Sequence, residues 1–274
     1  MKIERVVVAL DFSEQSSKLF NAVNDFKRFG ISEIHLVHVV NPNILEVNKE
    51  IVKIASDHFS SYINNYLSEG VNVFLEILIG NVVEQIRDYC DEINANLLFA
   101  SEHGEGFFKD IFVGSNLLNF IRTIKRPIYV ERFYKTESAF LLPENRLKKV
   151  LFPTDFSKSS MKAFDFLKKI SSAINEVLLV HVLKPSDPKF LIKEASGANK
   201  AIEKLTLDLV KNNVNARYLV LEGNPAKQIN SIVEKENISM IIMSRRGLGF
   251  FEGLFLGSVA EYLLFHTRVP ILFD

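Results

Sequence analysis

This chain repeats itself. Val6-Val7-Val8-Ala9-Leu10-Asp11-Phe12-Ser13 returns as Val150-Leu151-Phe152-Pro153-Thr154-Asp155-Phe156-Ser157, 144 residues later. Leu36-Val37-His38-Val39 returns as Leu179-Val180-His181-Val182 at an offset of 143. The same 143 relates Gly80-Asn81 to Gly223-Asn224, Gln85-Ile86 to Gln228-Ile229, Gly104 to Gly247, Gly114-Ser115 to Gly257-Ser258, and Pro127 to Pro270. A nearly constant offset over the whole length is a duplication, so 274 residues make two domains of ordinary size and not one large one. The copies run over 1–134 and 148–274. Residues 135–147 read as a linker, where Pro143, Glu144 and Asn145 interrupt the apolar pattern.

Each copy alternates strand and helix. In the first, Glu4–Leu10 is an apolar, β-branched run of the kind buried on both faces of a sheet. A helix follows over Ser13–Phe29, with Phe20, Val23, Phe26 and Phe29 at helical spacing and Ser13 as N-cap. Then come strand Glu33–Val40, a helix from about Leu45 to Ser68, strand Asn72–Leu78, helix Val82–Ile93, strand Leu97–Ser101, helix Ser115–Thr123 and strand Pro127–Val130. The second copy repeats this order and ends on Pro270–Phe273. The pattern predicts an α/β chain with two tandem, open-twisted five-stranded parallel-sheet domains of Rossmann-like type, helices covering both faces. Gly80 and Gly223 end strands where the chain turns sharply. The 23 phenylalanines read as core fillers, and His38 and His181, inside apolar strands, as satisfied core histidines.

Several classes are excluded or disfavoured. The longest apolar runs, such as Val177–Leu183, fall far short of the ~18 residues a membrane span needs. The first residues lack a signal-peptide layout, which predicts a cytoplasmic protein. The single cysteine, Cys90, allows no intrachain disulfide and sits in a helical pattern as a buried packing residue. There is no G-x-x-x-x-G-K-[S/T] loop, no G-x-G-x-x-G after the first strand, no G-x-S-x-G elbow, no H-E-x-x-H and no nucleic-acid module. Net charge is zero overall but divided. Residues 1–134 carry 13 Lys and Arg against 18 Asp and Glu, and residues 135–274 carry 20 against 15.

Ligands of open α/β sheets bind at the carboxyl ends of the strands, where strand order switches. Two pieces of each copy should meet there: the acid after the first strand, Asp11 or Asp155, and the loop after the fourth. That loop runs Ser101-Glu102-His103-Gly104, nine residues, Gly114-Ser115, and in the second copy Ser244-Arg245-Arg246-Gly247, nine residues, Gly257-Ser258. A Gly-Ser pair opening a helix presents backbone N–H groups at the positive end of the helix dipole, a ready anion site.

These residues resemble the universal stress protein family, whose ATP-binding members carry G-x2-G-x9-G-[S/T] at this place, an Asp closing strand one, often as P-T-D, and an L-x-H-V-like second strand. The resemblance spans the tandem pair and implies an adenine nucleotide α-hydrolase-like fold binding ATP, with or without magnesium. It implies that Asp155 and the backbone near Val182 hold adenine, and that Gly247, Gly257, Ser258 and Val259 line the ribose and phosphates. Pro153, Met243, Ser244 and Arg246 complete that site. In the first copy the matching set is Asp11, Val39, Ser101, Gly104, Gly114 and Ser115. No metal ligands or catalytic residues are assigned. The family also pairs the last strands of two domains, which predicts a pseudo-twofold pairing of the copies within the chain and allows a further homodimer.

The first copy departs from the pattern in Ala9-Leu10 before its Asp and in the acidic Glu102, Glu105 and Asp110, which repel a polyphosphate. Arg245 and Arg246 in the second copy suit one. The second copy is therefore the expected nucleotide site, with the chain acting as a regulatory or adaptor module in a stress response. Two other readings remain open here: a protein-interaction scaffold without nucleotide, and a slow ATP hydrolase. The first motif glycine is serine in both copies, and if Ser244 is an obstacle, Ser244→Gly should tighten ATP binding. Asp11 and Asp155 also suit plain helix caps.

Overall fold

The structure is a computed structural model that describes residues 3–11, 14–40, 49–101, 114–132, 134–135, 140–141, 145–185, 188–247 and 256–274. The chain divides into two units, Met1–Glu131 and Arg132–Asp274.

In the first unit the order is β1 (Arg5–Leu10), α1 (Glu14–Phe26), a 3-10 turn (Lys27–Phe29), β2 (Glu33–Val40), α2 (Lys49–Ser68), β3 (Asn72–Ile79), α3 (Val82–Glu92), β4 (Leu97–Ser101), α4 (Ser115–Thr123) and β5 (Ile128–Glu131). All pairings are parallel, in the order β5-β4-β1-β2-β3. Val6, Val7 and Val8 on the central β1 are completely buried. Each such side chain contributes roughly 1.5–3 kcal/mol by leaving water. Among the described phenylalanines, Phe26 is fully buried and meets Phe99 and Tyr129 edge-on, at ring-centroid distances of 5.4 and 5.3 Å, whereas Phe74 is exposed. The Tyr66 hydroxyl donates to the Phe20 carbonyl at 3.0 Å, which gives a fully buried tyrosine its partner. Cys90 is buried on α3, and burial pushes its thiol up to about 12.

The second unit repeats the order as β8 (Val150–Pro153), α5 (Lys158–Ile170), a 3-10 turn (Ser171–Ala173), β9 (Val177–Leu183), α6 (Pro188–Lys211), β10 (Ala216–Glu222), α7 (Pro225–Lys235), β11 (Met240–Met243), α8 (Ser258–His266) and β12 (Ile271–Phe273). Its five strands are parallel in the order β10-β9-β8-β11-β12. Preceding them, from the last residue of the first copy into the stretch that reads as a linker, β6 (Tyr134–Lys135) and β7 (Phe140–Leu141) form a short antiparallel ribbon.

The turns after β3 and β10 show why glycine recurs there. Gly80 has φ 144° and Gly223 has φ 132°, where side chains are rarely tolerated, and Gln85 and Gln228 pack over the two glycines. The next residue caps the following helix: Asn81 Oδ1 accepts from the Val83 and Glu84 amides, and Asn224 Oδ1 from the Lys227 amide. At the opposite ends of the strands Arg217 pairs with Glu176 and Glu236, and Lys149 Nζ lies 2.9 Å from Glu236. These half-exposed pairs contribute at most about 1 kcal/mol each. Among the described residues no helix is long and apolar enough to cross a membrane.

Candidate functional site

In the second unit β8 and β11 are neighbours while their continuations run to opposite sides, β9 beyond one and β12 beyond the other. Their carboxyl ends therefore open the crevice where strand order switches. Pro153 closes β8, Met243 closes β11, and both are buried.

Beyond Pro153 the chain makes a tight, hydroxyl-rich turn. The Thr154 amide still donates to the Val180 carbonyl at 2.9 Å, and the Phe156 amide donates to Thr154 Oγ1 at 3.1 Å. Phe156 adopts φ 60°, a left-handed conformation that is strained for a bulky residue. Its ring lies 4.6 Å from that of His181, whose Nδ1 donates to the Thr154 carbonyl at 2.8 Å. Because a carbonyl only accepts, Nδ1 carries the proton and Nε2 is the acceptor in the neutral ring. Val182, the next residue of β9, is half-buried beside this turn.

Asp155 is half-buried and does more than cap. Its Oδ1 accepts from the Ser157 amide at 3.0 Å, while the N-cap of α5 is Ser157, whose Oγ accepts from the Ser160 amide at 3.2 Å. The other oxygen, Oδ2, lies against Gly247: a Cβ placed there would sit 2.3 Å from it. A Cβ on Gly257 would in turn meet the Arg245 carbonyl at 3.2 Å, Arg246 Cα at 3.4 Å and the Gly247 nitrogen at 3.7 Å. The two glycines thus let the loop after β11 fold between the acid after β8 and the start of α8. The Gly257 amide also donates to the Arg245 carbonyl at 2.8 Å. Gly257 is the N-cap of α8 and supplies no side-chain cap, so the helix opens with backbone N–H groups beside exposed Ser258 and half-buried Val259.

Arg245 and Arg246 are both half-buried, unlike a solvated surface pair. Burial, aided by Arg246 and against the opposing pull of Asp274, lowers the Arg245 guanidinium to about 10. It stays charged at neutral pH. Lys162 Nζ lies 3.6 Å from the same Asp274 carboxylate. Ser244 is buried, and its Oγ donates to the Arg246 carbonyl at 2.6 Å. Ser159, on the first turn of α5, donates to the same oxygen at 2.9 Å. Among the described residues no cluster of His, Cys, Asp and Glu is arranged to hold a metal ion.

The structure therefore brings Asp155, Ser244, Arg246, Gly247 and Gly257 together, with Ser258 and Val259 opening the adjoining helix and Pro153, Met243 and Val182 on the strands beneath. Sequence reasoning missed Thr154, Phe156, Ser159 and Ser160. The run Thr154-Asp155-Phe156-Ser157-Lys158-Ser159-Ser160 does signal a polar turn, but nothing in it names partners nearly ninety residues away.

In the first unit the described residues include part of the matching set. Asp11 follows β1, Ser101 closes β4, Val39 lies on β2, and all three are half-buried. Gly114 is the N-cap of α4 without a side-chain cap, and Ser115 is exposed. His38 Nδ1 donates to the Leu10 carbonyl at 2.8 Å, as His181 does to Thr154. Gly104, the acidic Glu102, Glu105 and Asp110, and the cap Ser13 lie outside the described residues.

A family model described as the universal stress protein family matches residues 2–132 and again 146–273. The chain belongs to the universal stress protein family. The double match is the same duplication that the internal offset reveals. The chain is 28% identical over 150 residues to Universal stress protein MJ0577 of Methanocaldococcus jannaschii, covering 46% of this chain and 93% of that one. It is 28% identical over 155 residues to Universal stress protein MJ0531 of the same organism, covering 52% and 89%. A universal stress protein from Archaeoglobus fulgidus superposes with a TM-score of 0.74 at 22% identity, covering 99% of this chain and 96% of that one, a likeness of fold.

Proposed function

We propose that this universal stress protein binds an adenine nucleotide, ATP or a close relative, in its second unit, and acts as a regulatory module in a stress response. The observation that carries the reading is the contact of Gly247 with Asp155 Oδ2. It marks a point where the loop backbone at Gly247 passes close to the acid that follows β8. Gly257 extends the same cradle to the N-terminus of α8, where backbone N–H groups and the helix dipole suit phosphate. Arg246 adds positive charge beside it. Asp155 and the backbone around Val182 would hold the base, and Gly247, Gly257, Ser258 and Val259 the ribose and phosphates. Asp155 is engaged by the Ser157 amide and pressed on Gly247, which suits a structural and binding role over that of a general base.

The test is mass spectrometry of small molecules released when the purified protein is denatured. The reading predicts an adenine nucleotide near one equivalent per chain in protein prepared without added nucleotide or saturated with ATP and then desalted. Protein that retains none under either condition contradicts it.

A further inference from the structure

We infer that Ser244 and Ser159 are positioning residues for the phosphate-bearing part of the ligand, a role that rests on the second unit taking a nucleotide. Ser244 extends from the end of β11 and Ser159 from the first turn of α5. Their hydroxyls converge on one acceptor, the Arg246 carbonyl oxygen, at 2.6 and 2.9 Å. The two hydroxyls tie the loop to its own strand and to the neighbouring helix at once. A third, Ser157 Oγ, lies 3.0 Å from Ser159 Oγ and links the clamp to the N-cap of α5.

Fixing that carbonyl fixes a donor. The peptide between Arg246 and Gly247 is trans, as all described peptide bonds are, so its N–H points opposite to its C=O. With the oxygen held by the serines, the Gly247 N–H is turned to the other side of the loop. The Gly247 nitrogen lies 3.7 Å from where a Cβ of Gly257 would stand, beside the opening of α8. One loop amide is thereby set next to the amides of the helix start before any ligand arrives, and a preset donor costs less to order on binding. Ser244, which replaces a motif glycine, restrains a segment that glycine would leave freer.

The clamp acts on phosphate and not on the base, which makes it separable from a general effect on folding. Calorimetric titration of the full chain with ATP and with adenosine should show Ser244→Ala and Ser159→Ala weakening ATP about fivefold each, the effect of one lost hydrogen bond. Adenosine affinity should hold within about twofold, because adenosine has no phosphate to meet the loop. Ser159→Thr, which keeps the hydroxyl, should bind ATP as wild type does, and Ser244→Gly should weaken ATP and not tighten it. Hydrogen exchange of the ligand-free protein should speed up over residues 243–247 in both alanine variants. Unchanged ATP affinity in both variants, or equal losses for ATP and adenosine, overturns the inference while leaving the nucleotide site in place. Wild-type protein that binds neither ligand overturns the nucleotide reading itself, and unaltered exchange would then remove the clamp as well.

Discussion

A methyl group on Gly247 would lie 2.3 Å from Asp155 Oδ2, although the two residues are ninety-two positions apart in sequence. Contact this close between a loop backbone and a carboxylate requires glycine on one side and fixes where the acid points. The clash is with the end of a side chain and not with backbone, so changes there should separate binding from folding.

Gly247→Ala should keep the fold and lose the ligand. The clashing atom is the end of a short side chain that can rotate away, so the stability cost should stay near 1 kcal/mol. The carboxylate, once displaced, no longer stands where the base would meet it, and ATP affinity should fall at least about tenfold. Gly257→Ala meets backbone instead, with the Arg245 carbonyl at 3.2 Å, and should cost more stability. Thermal melts paired with ATP titrations of both variants check the contrast.

The first unit should lose stability in mild acid through His35. This side chain is buried on β2, stacked on Phe74 at 4.7 Å, with Nδ1 2.8 Å from the Tyr89 hydroxyl. Glu33 lies 3.5 Å away, and Arg5 and Glu76 also act on it. Burial holds its pKa below the ordinary value, outweighing the upward pull of Glu33. The unfolded chain therefore takes up a proton that the folded chain resists. The associated stability is complete above about pH 6.5 and is lost as pH falls from there toward the lowered folded value. The second repeat carries Leu178 at the matching position, and His35→Leu should flatten the fall in melting temperature between about pH 6.5 and 5. An unchanged slope would assign the acid sensitivity elsewhere.

Cys90 should be silent in the native protein. It is fully buried and its thiol is pushed up to about 12 by burial, so the reactive thiolate is scarce at neutral pH. A thiol reagent should label it only as fast as the first unit opens, with full labelling in denaturant. Rapid labelling of native protein would contradict the packing of α3.

Asn81→Ala should cost about 1 kcal/mol, because its side chain satisfies two amides at the start of α3. Asn224→Ala should cost less: Asn224 holds one amide, and Pro225 already presets the first turn of α7. Denaturant unfolding of the two variants compares them directly.

Much of the fold was legible because the inner strands β1, β4, β8 and β11 are largely buried and leave unbroken apolar runs. The ranges read for β2, β4 and α4 agree with the observed Glu33–Val40, Leu97–Ser101 and Ser115–Thr123. The ribbon of Tyr134–Lys135 and Phe140–Leu141 was not, since two-residue strands have no period to detect. In the site, Asp155, Gly247 and Gly257 were visible because a doubled motif places them. The role of Ser244 was hidden. Compared with a glycine motif, its hydroxyl counts only as a missing glycine, and the carbonyl that it shares with Ser159 exists only once α5 and the loop are folded together. The strain at Phe156 was invisible for the same reason: a left-handed φ is imposed by the turn around Thr154 and not by phenylalanine.

The most direct test is calorimetric titration of ATP with magnesium into three forms of the full chain: wild type, Gly257→Glu and Gly114→Glu. A glutamate at either N-cap places a bulky negative charge where phosphate would sit in that unit, and the two variants are matched by the repeat. The account predicts binding in wild type and in Gly114→Glu, and loss of binding in Gly257→Glu, which should melt cooperatively at a lower temperature because its Cβ meets backbone. No binding heat in wild type, or loss in Gly114→Glu with Gly257→Glu unaffected, would contradict a nucleotide site in the second unit.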